Sequence, residues 1–200
     1  MNRLHNRRLA LSSFVVLLSS GIVLILTLLR GLLIPSLIAP RVYGLWQTLL
    51  FIPTYTGYSD LGVNHSMLRR VPGLKLGGNT KDVEIYVSNA LWATTIFSIL
   101  VCFIFIAIGI LFENTGNPTY VHAFAVMVVN IIFAQIHRHY SFYIRATQLF
   151  VLLSILRVIY PLISVIGSVA LFLLFGFIGL PYGLLVANIA VCLFFIYWIG

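Results

Sequence analysis

Long apolar runs separated by short polar segments organise the chain. A helix needs about 20 residues to cross the roughly 30 Å hydrocarbon core of a bilayer, and six runs are close to or above that length. These runs lie at about 9–29, 44–63, 85–111, 119–136, 149–174 and 178–199. None has the alternation of apolar and polar residues that a transmembrane barrel strand requires. The pattern therefore predicts an all-α integral membrane protein with about six transmembrane helices.

Polar segments interrupt or connect these runs. The second run contains Pro53 and then the segment 54–60, which is too polar to face lipid. We expect this segment to face the protein interior or a wet cavity, where the backbone loosened by proline can also be satisfied. A connecting loop is predicted at 69–82, with the third helix beginning near Val83, and a second connection is predicted at 137–148.

Charged residues are scarce and unevenly placed. Twelve Lys or Arg and four Asp or Glu make up 8% of the 200 residues, against about 25% in a soluble domain. Hydrophobic residues make up 61% of the chain, and a soluble protein of this size could not solvate that surface. Two basic residues, Arg30 and Arg41, lie on one side of the predicted helices, and nine lie on the other. The positive-inside rule therefore places the N-terminus in the cytoplasm, and the net charge gives no reason to expect nucleic acid as a partner. The nine are Arg3, Arg7, Arg8, Arg69, Arg70, Lys75, Lys81, Arg138 and Arg145.

The sequence lacks signatures of catalysis and of metal binding. It contains no H-E-x-x-H, G-x-S-x-G or glycine-rich phosphate loop. His137 and His139 are two positions apart, so on a helix they would point to different faces. Cys102 and Cys192 lie inside apolar runs, where small packing residues are expected. We therefore predict no enzyme, no cofactor and no metal site.

Arg157 lies inside the fifth apolar run and is the main candidate for chemistry. A guanidinium in hydrocarbon costs at least ~2.5–3.5 kcal/mol, so it needs a protected place. It could reach back to the headgroups or form a structural pair, or it could bind a phosphate in a buried aqueous cavity through its rigid fork. Arg30, at the predicted end of the first run, has a similar pair of interpretations: an interfacial anchor, or a contact for an anionic headgroup at a cavity mouth.

Asp60 is the acidic residue that lies inside a run. It is predicted either to pair locally, with Arg69, Arg70 or a neighbouring helix, or to serve as a proton or cation site. His65 follows it closely and has the same two interpretations.

Several short motifs resemble one family in their order and in their fit to the runs. Together they resemble the polysaccharide-exporter branch of the MATE-like flippases in the MOP superfamily, which are flippases for O-antigen and capsule repeat units. The motifs are Arg30-Gly31-Leu32-Leu33-Ile34-Pro35, Tyr43-Gly44-Leu45-Trp46, Asp60-Leu61-Gly62-Val63, Leu68-Arg69-Arg70-Val71-Pro72, Gly77-Gly78-Asn79, Tyr143-Ile144-Arg145-Ala146, Leu153-Ser154-Ile155-Leu156-Arg157 and Gly176-Phe177-Ile178-Gly179-Leu180-Pro181-Tyr182-Gly183.

The resemblance implies a fold and a substrate. Two lobes of about six helices each would surround a central cationic cavity. Residues 1–200 would form the N-terminal lobe, and the second lobe would be absent from this chain. The substrate would be an oligosaccharide repeat unit on a polyprenyl diphosphate, moved across the bacterial inner membrane for surface polysaccharide synthesis. Arg157 and Arg30 are the positions that match the cavity's cations. The implied partners are membrane lipids and a polysaccharide polymerase or glycosyltransferases.

Other classes remain open at this point. A drug or cation antiporter of the MATE type would need intramembrane carboxylates, and Asp60 is the residue that qualifies. A membrane-embedded glycosyl- or acyltransferase would need a catalytic motif on a loop. A non-transporting membrane scaffold would need neither.

Overall fold

Seven α-helices account for most of the chain. The computed structural model describes the backbone of residues 2–58, 60–112 and 118–199, and the side chains of residues 14–58, 60–110 and 118–198. Regular structure in these ranges is entirely helical, which confirms the all-α prediction. The helices are α1 (Asn2–Leu37), α2 (Pro40–Thr56), α3 (Val63–Leu76), α4 (Thr80–Phe112), α5 (Pro118–Ala146), α6 (Phe150–Phe175) and α7 (Gly179–Ile199), with a 3-10 turn at Gly176–Ile178.

Four helical stretches of the described residues are long and apolar enough to cross a membrane. They are Phe14–Leu37, Thr80–Ile110, Pro118–Ala146 and Phe150–Trp198. The fourth has 49 residues, which would measure about 74 Å as one straight helix. The 3-10 turn divides it into α6 and α7, which pack side by side. The second predicted run corresponds to α2, which has 17 residues and is shorter than these stretches.

The predicted loop at 69–82 is wrong for most of its length, because α3 continues to Leu76. The buried residues of α3 are Asn64, Met67 and Val71, which recur at helical spacing. They pack against the second half of α5 and leave the basic residues of α3 on its outer face. In the sequence these apolar positions alternate with polar and basic residues, so no apolar run indicates α3.

The other predicted boundaries are also shifted. α4 begins at Thr80 rather than near Val83, after a turn in which Gly78 has a φ of +73°. The predicted connection at 137–148 is helical up to Ala146. α1 continues to Leu37, so Arg30 lies two turns before the end of the helix rather than at it. Residues 113–117, the side chains of Arg3, Arg7 and Arg8, and Gly200 fall outside the described residues.

α5 is the central helix of the bundle. α2 packs on its first half, where Trp46 is 1% exposed and joins a cluster with Met127 and Ile131. α3 packs on its second half, next to Phe142 and Ala146. α2 and α3 therefore follow one another along α5, in the same direction as α5, with a bend between them. The prediction that segment 54–60 faces inward is only partly right, because Thr56 and Asp60 are buried whereas Tyr55 and Tyr58 are exposed.

α6 and α7 cross at very short range because glycines lie at the contact. A Cβ on Gly183 would collide with the backbone of Ser168, and a Cβ on Gly179 would collide with the carbonyl of Leu171. The Ser168 hydroxyl donates a hydrogen bond to the Leu180 carbonyl at 3.3 Å across this contact. The small residues thus let two backbones meet, as is common between helices in membranes.

Candidate functional site

Two adjoining cavities lie within the helix bundle. The first has a volume of about 350 Å³ and lies between α1, α5 and α6. The second has a volume of about 640 Å³ and lies between α5 and the bend that joins α2 to α3. The two spaces meet at four side chains that line both of them: His137, Ser141, Arg145 and Tyr160.

Arginine side chains dominate the charge of both cavities. Arg30, Arg145 and Arg157 line the first cavity, and Arg145 and Arg138 line the second. Arg145 interacts electrostatically with both Arg157 and Arg138, so these like charges are close enough to repel. Asp60 is the carboxylate among the lining residues. With histidines neutral, four arginines and one aspartate give the joined cavities a formal charge of +3.

Arg30 is held at the cavity by aromatic contacts rather than by an acid. Its Cζ lies 5.9 Å from the centroid of the Trp46 ring, within the range of a cation–π interaction. Tyr160 lines the same cavity and lies close to Arg30. Its Nη2 is buried and has no hydrogen-bond partner among the residues that the structure describes. A buried donor without a partner carries a desolvation cost that a ligand acceptor in the cavity would remove.

Arg145 and Arg138 are positioned by neighbours of a different kind. The Cζ of Arg145 lies 5.2 Å from the Phe142 ring centroid, and its buried Nε has no hydrogen-bond partner. The guanidinium of Arg138 occupies the space next to Gly57, where an added Cβ would lie 2.9 Å from the Arg138 Cζ. The missing side chain at Gly57 is therefore what gives Arg138 its place in the second cavity.

A buried hydrogen-bond network fixes His137 where the cavities meet. Asn188 Nδ2 donates to Asn130 Oδ1 at 2.9 Å, and Asn188 Oδ1 lies 3.1 Å from His137 Nδ1. The Tyr160 side chain lies close to Asn188, and the Tyr160 and His137 ring centroids lie 4.7 Å apart. Because Asn188 Nδ2 is used by Asn130, its Oδ1 remains as the acceptor and His137 Nδ1 is the donor. Helices α5, α6 and α7 are thus tied together at the polar junction.

The candidate residues named from sequence are distributed over both cavities. Arg157 and Arg30, which are 127 positions apart in the sequence, line the same first cavity. Asp60 and His65 line the second. The Asp60 carboxylate accepts a hydrogen bond from the Gly62 N–H at 3.2 Å. The His65 ring lies edge-on to Phe142 with a centroid distance of 4.8 Å.

Sequence analysis missed Arg138, Arg145, His137 and Tyr160 as site residues. The two arginines fall in the connection predicted at 137–148, and from the sequence they contribute only to the positive-inside assignment. The sequence does contain one indication of this site. Arg138, Ser141 and Arg145 recur at helical spacing, which places them on one face of α5 if that helix continues beyond residue 137. Among the described residues there is no cluster of three His, Cys, Asp or Glu side chains that could hold a metal.

The fold is similar to part of the fold of transporters of the MOP superfamily. One similar structure is the outward-facing conformation of a multidrug resistance MATE family transporter of the MOP superfamily. Its TM-score is 0.73 with 16% identity, and the match covers 94% of this chain and 43% of that one. A MOP superfamily transporter from Pyrococcus furiosus Vc1 (DSM3638) matches with the same TM-score, identity and coverage, and it is described as having a binding pocket whose reverse polarity suggests a different function. The chain thus spans less than half the length of these transporters. No protein-family model and no curated protein matches it.

Proposed function

We propose that the chain is one lobe of a transporter that moves a polyprenyl-diphosphate-linked oligosaccharide across the bacterial inner membrane by alternating access. The observation that carries the proposal is the convergence of four arginines and one carboxylate on two joined cavities. Arginine binds phosphate bidentately, and a diphosphate offers enough acceptor oxygens for several guanidinium groups. A positively charged cavity favours an anionic substrate over a cationic drug.

The two cavities differ in a way that suits the two ends of such a substrate. Three arginines line the first cavity, where the diphosphate would lie next to Arg30 and Arg157. The second cavity is also lined by Arg138 and Arg145, but it combines them with Asp60 and with neutral hydrogen-bonding groups from Thr56, Gln135 and Asn188. A carboxylate repels phosphate but accepts hydrogen bonds from sugar hydroxyls. The oligosaccharide would therefore occupy the second cavity and the polyprenyl chain would remain in lipid.

The comparisons support this proposal at the level of fold. The similar structures are transporters of the MOP superfamily, and the match covers 43% of their chains. A second lobe would complete the cavity and would move against the first during alternating access. A polymerase or glycosyltransferases that make and use the lipid-linked repeat unit would be the partners, with the N-terminus of the chain in the cytoplasm.

One experiment tests the proposal directly. The protein is reconstituted in vesicles, and translocation of a fluorescent polyprenyl-diphosphate oligosaccharide is measured for the wild type, Arg30→Gln and Arg157→Gln. Loss of one charge-assisted contact predicts a decrease of about 10-fold or more for each variant. Arg41→Gln is the matched control, because Arg41 is exposed on α2 and lines neither cavity. Unchanged translocation in both cavity variants, at normal protein levels, would refute the proposal.

A MATE-type drug or cation antiporter is the second candidate, and Asp60 is the observation that favours it. Its carboxylate is 6% exposed and lines the second cavity. In that case Asp60→Asn would abolish drug efflux from cells, whereas the arginine variants would leave efflux unchanged or increase it. A non-transporting scaffold would give no translocation or efflux with any of these variants or with the wild type.

A further inference from the structure

A separate basic recess lies between α3 and α4, away from the two joined cavities. It has a volume of about 550 Å³, and none of its lining residues lines either cavity. Both guanidinium groups of the pair Arg69 and Arg70 line it, together with one carboxylate, Asp82. The other lining residues are Gly73, Leu74, Ile85, Tyr86 and Asn89.

The cationic wall of this recess is held in place. The Cζ of Arg70 lies 5.7 Å from the Tyr86 ring centroid. The Tyr86 hydroxyl is itself fixed by a hydrogen bond of 2.6 Å to the Ser66 hydroxyl. The Asp82 carboxylate accepts a hydrogen bond from the side-chain amide of Asn79. The recess thus has two guanidinium groups and one carboxylate, which is hydrogen-bonded to Asn79, so its net charge is positive. A site with one excess positive charge favours a singly charged anion.

An exposed apolar stripe on α4 begins at the recess. Ile85 is 59% exposed and lines the recess, and Trp92, Ile96 and Phe103 continue the stripe at 67%, 53% and 65% exposure. Their spacings of 7, 4 and 7 residues place them on one face of a helix with 3.6 residues per turn. The opposite face of α4, with Ala90 and further buried residues, packs against the bundle.

The depth of the recess matches the headgroup layer of a membrane. The apolar stretch of α4, Thr80–Ile110, has 31 residues and is about 46 Å long, whereas the hydrocarbon core is about 30 Å thick. The first turns of α4, which line the recess, therefore extend into the headgroup layer. A ligand in the recess would have its charged group beside Arg69 and Arg70, and the apolar stripe would run from there toward the membrane centre.

From this arrangement we propose that the recess is a binding site for an anionic phospholipid of the surrounding membrane. The phosphate lies against Arg69 and Arg70, and one acyl chain runs along Ile85, Trp92 and Ile96. Basic pockets between helices on the cytoplasmic side of membrane proteins bind lipid headgroups in this way. A soluble phosphate would use the arginines but not the stripe, so the continuity of the two features favours a lipid. This site does not depend on what the central cavities transport.

Brominated lipids test the site because bromine on an acyl chain quenches a tryptophan that it contacts. The protein is reconstituted in phosphatidylcholine vesicles that contain either brominated phosphatidylglycerol or brominated phosphatidylcholine at equal fraction. The signal of interest is the quenching that disappears in Trp92→Phe. We expect this signal to favour phosphatidylglycerol, and we expect Arg69→Gln/Arg70→Gln to reduce the preference by roughly fivefold for each arginine. The matched control is Lys75→Gln/Lys81→Gln, which removes the same charge from residues outside the recess.

Each outcome decides the proposal. A preference lost in the arginine variant but kept in the lysine control supports a specific lipid site. An equal loss in both variants would mean that only the general surface charge attracts the lipid. Competition by millimolar inorganic phosphate that restores Trp92 fluorescence would identify a soluble-phosphate site. No preference for phosphatidylglycerol in the wild type would overturn the proposal outright. Circular dichroism and Trp46 emission confirm that each variant is folded.

Discussion

Arg145→Gln should stabilise the protein when no ligand is present and weaken its response to an anion. Arg145 lies between the like charges of Arg157 and Arg138, and its Nε is buried without a hydrogen-bond partner. With the effective dielectric constant of about 20 that suits partly exposed charges, each of these two repulsions is on the order of 1–2 kcal/mol. Loss of the cation–π contact with Phe142 lowers the stability by only about 0.5–1 kcal/mol. The variant should therefore gain about 1–3 kcal/mol in its free energy of unfolding.

Thermal unfolding of the detergent-purified protein measures both effects. A gain of that size in a chain of this length raises the apparent Tm by about 2–10 °C. Pyrophosphate serves as the soluble probe, and it should raise the Tm of the wild type because it binds only the folded state. Removal of one charge-assisted contact weakens binding by about 10-fold to 100-fold, so the variant needs correspondingly more pyrophosphate for the same shift.

The prediction is easy to refute because Arg145→Gln is expected to increase stability without ligand and to decrease pyrophosphate binding. A variant that is less stable without ligand, but that responds to pyrophosphate like the wild type, would show that Arg145 has a structural role and does not bind the anion. Arg41→Gln removes an arginine of the same helix bundle that lines neither cavity, and it should leave both the Tm and the pyrophosphate response unchanged.

Three further substitutions test how the site is built. Gly183→Val should lower the Tm through a collision with the backbone of α6 that costs about 1–3 kcal/mol or more, whereas Gly21→Ala, at a position with open space around it, should not lower it. Gly57→Val should displace the guanidinium of Arg138 and reduce pyrophosphate affinity with little change in Tm, which isothermal titration would detect. Asn188→Leu should cost about 2–4 kcal/mol because it leaves two buried partners unsatisfied, and thermal unfolding should show it in the absence of any ligand.

Apolar runs were sufficient to predict most of the helices, because a helix in lipid must be apolar over its whole length. The same criterion missed α3, whose apolar stripe is only Met67 and Val71 beside the buried Asn64. It also ended α5 too early, since the last turns bury His139 and Phe142 among polar and basic neighbours. In both places packing against another helix stabilises a segment that its own composition does not identify.

Only those residues of the candidate site that lie within or at the end of an apolar run could be predicted from the sequence. A charge inside an apolar run is conspicuous, so Arg157 and Arg30 were found from sequence, and the structure places both in one cavity. Arg138 and Arg145 lie at the end of α5, where basic residues are expected for topological reasons, and their second role depends on tertiary contacts. The His137–Asn188 pair joins residues 51 positions apart, and no local pattern predicts such a contact.

The excess of positive charge itself limits how the site can work. Four partly buried arginines with one carboxylate repel one another unless other groups neutralise them. Under the proposed function, two sources of compensation would exist: an anionic substrate, or carboxylates from a second lobe like the part of the similar transporters that the match leaves uncovered. The sources predict different outcomes for Arg145→Gln. If carboxylates of a second lobe neutralise the cluster, the substitution would stabilise this lobe alone but destabilise the complete transporter. If the substrate does so, the substitution would stabilise both and weaken anion binding in both.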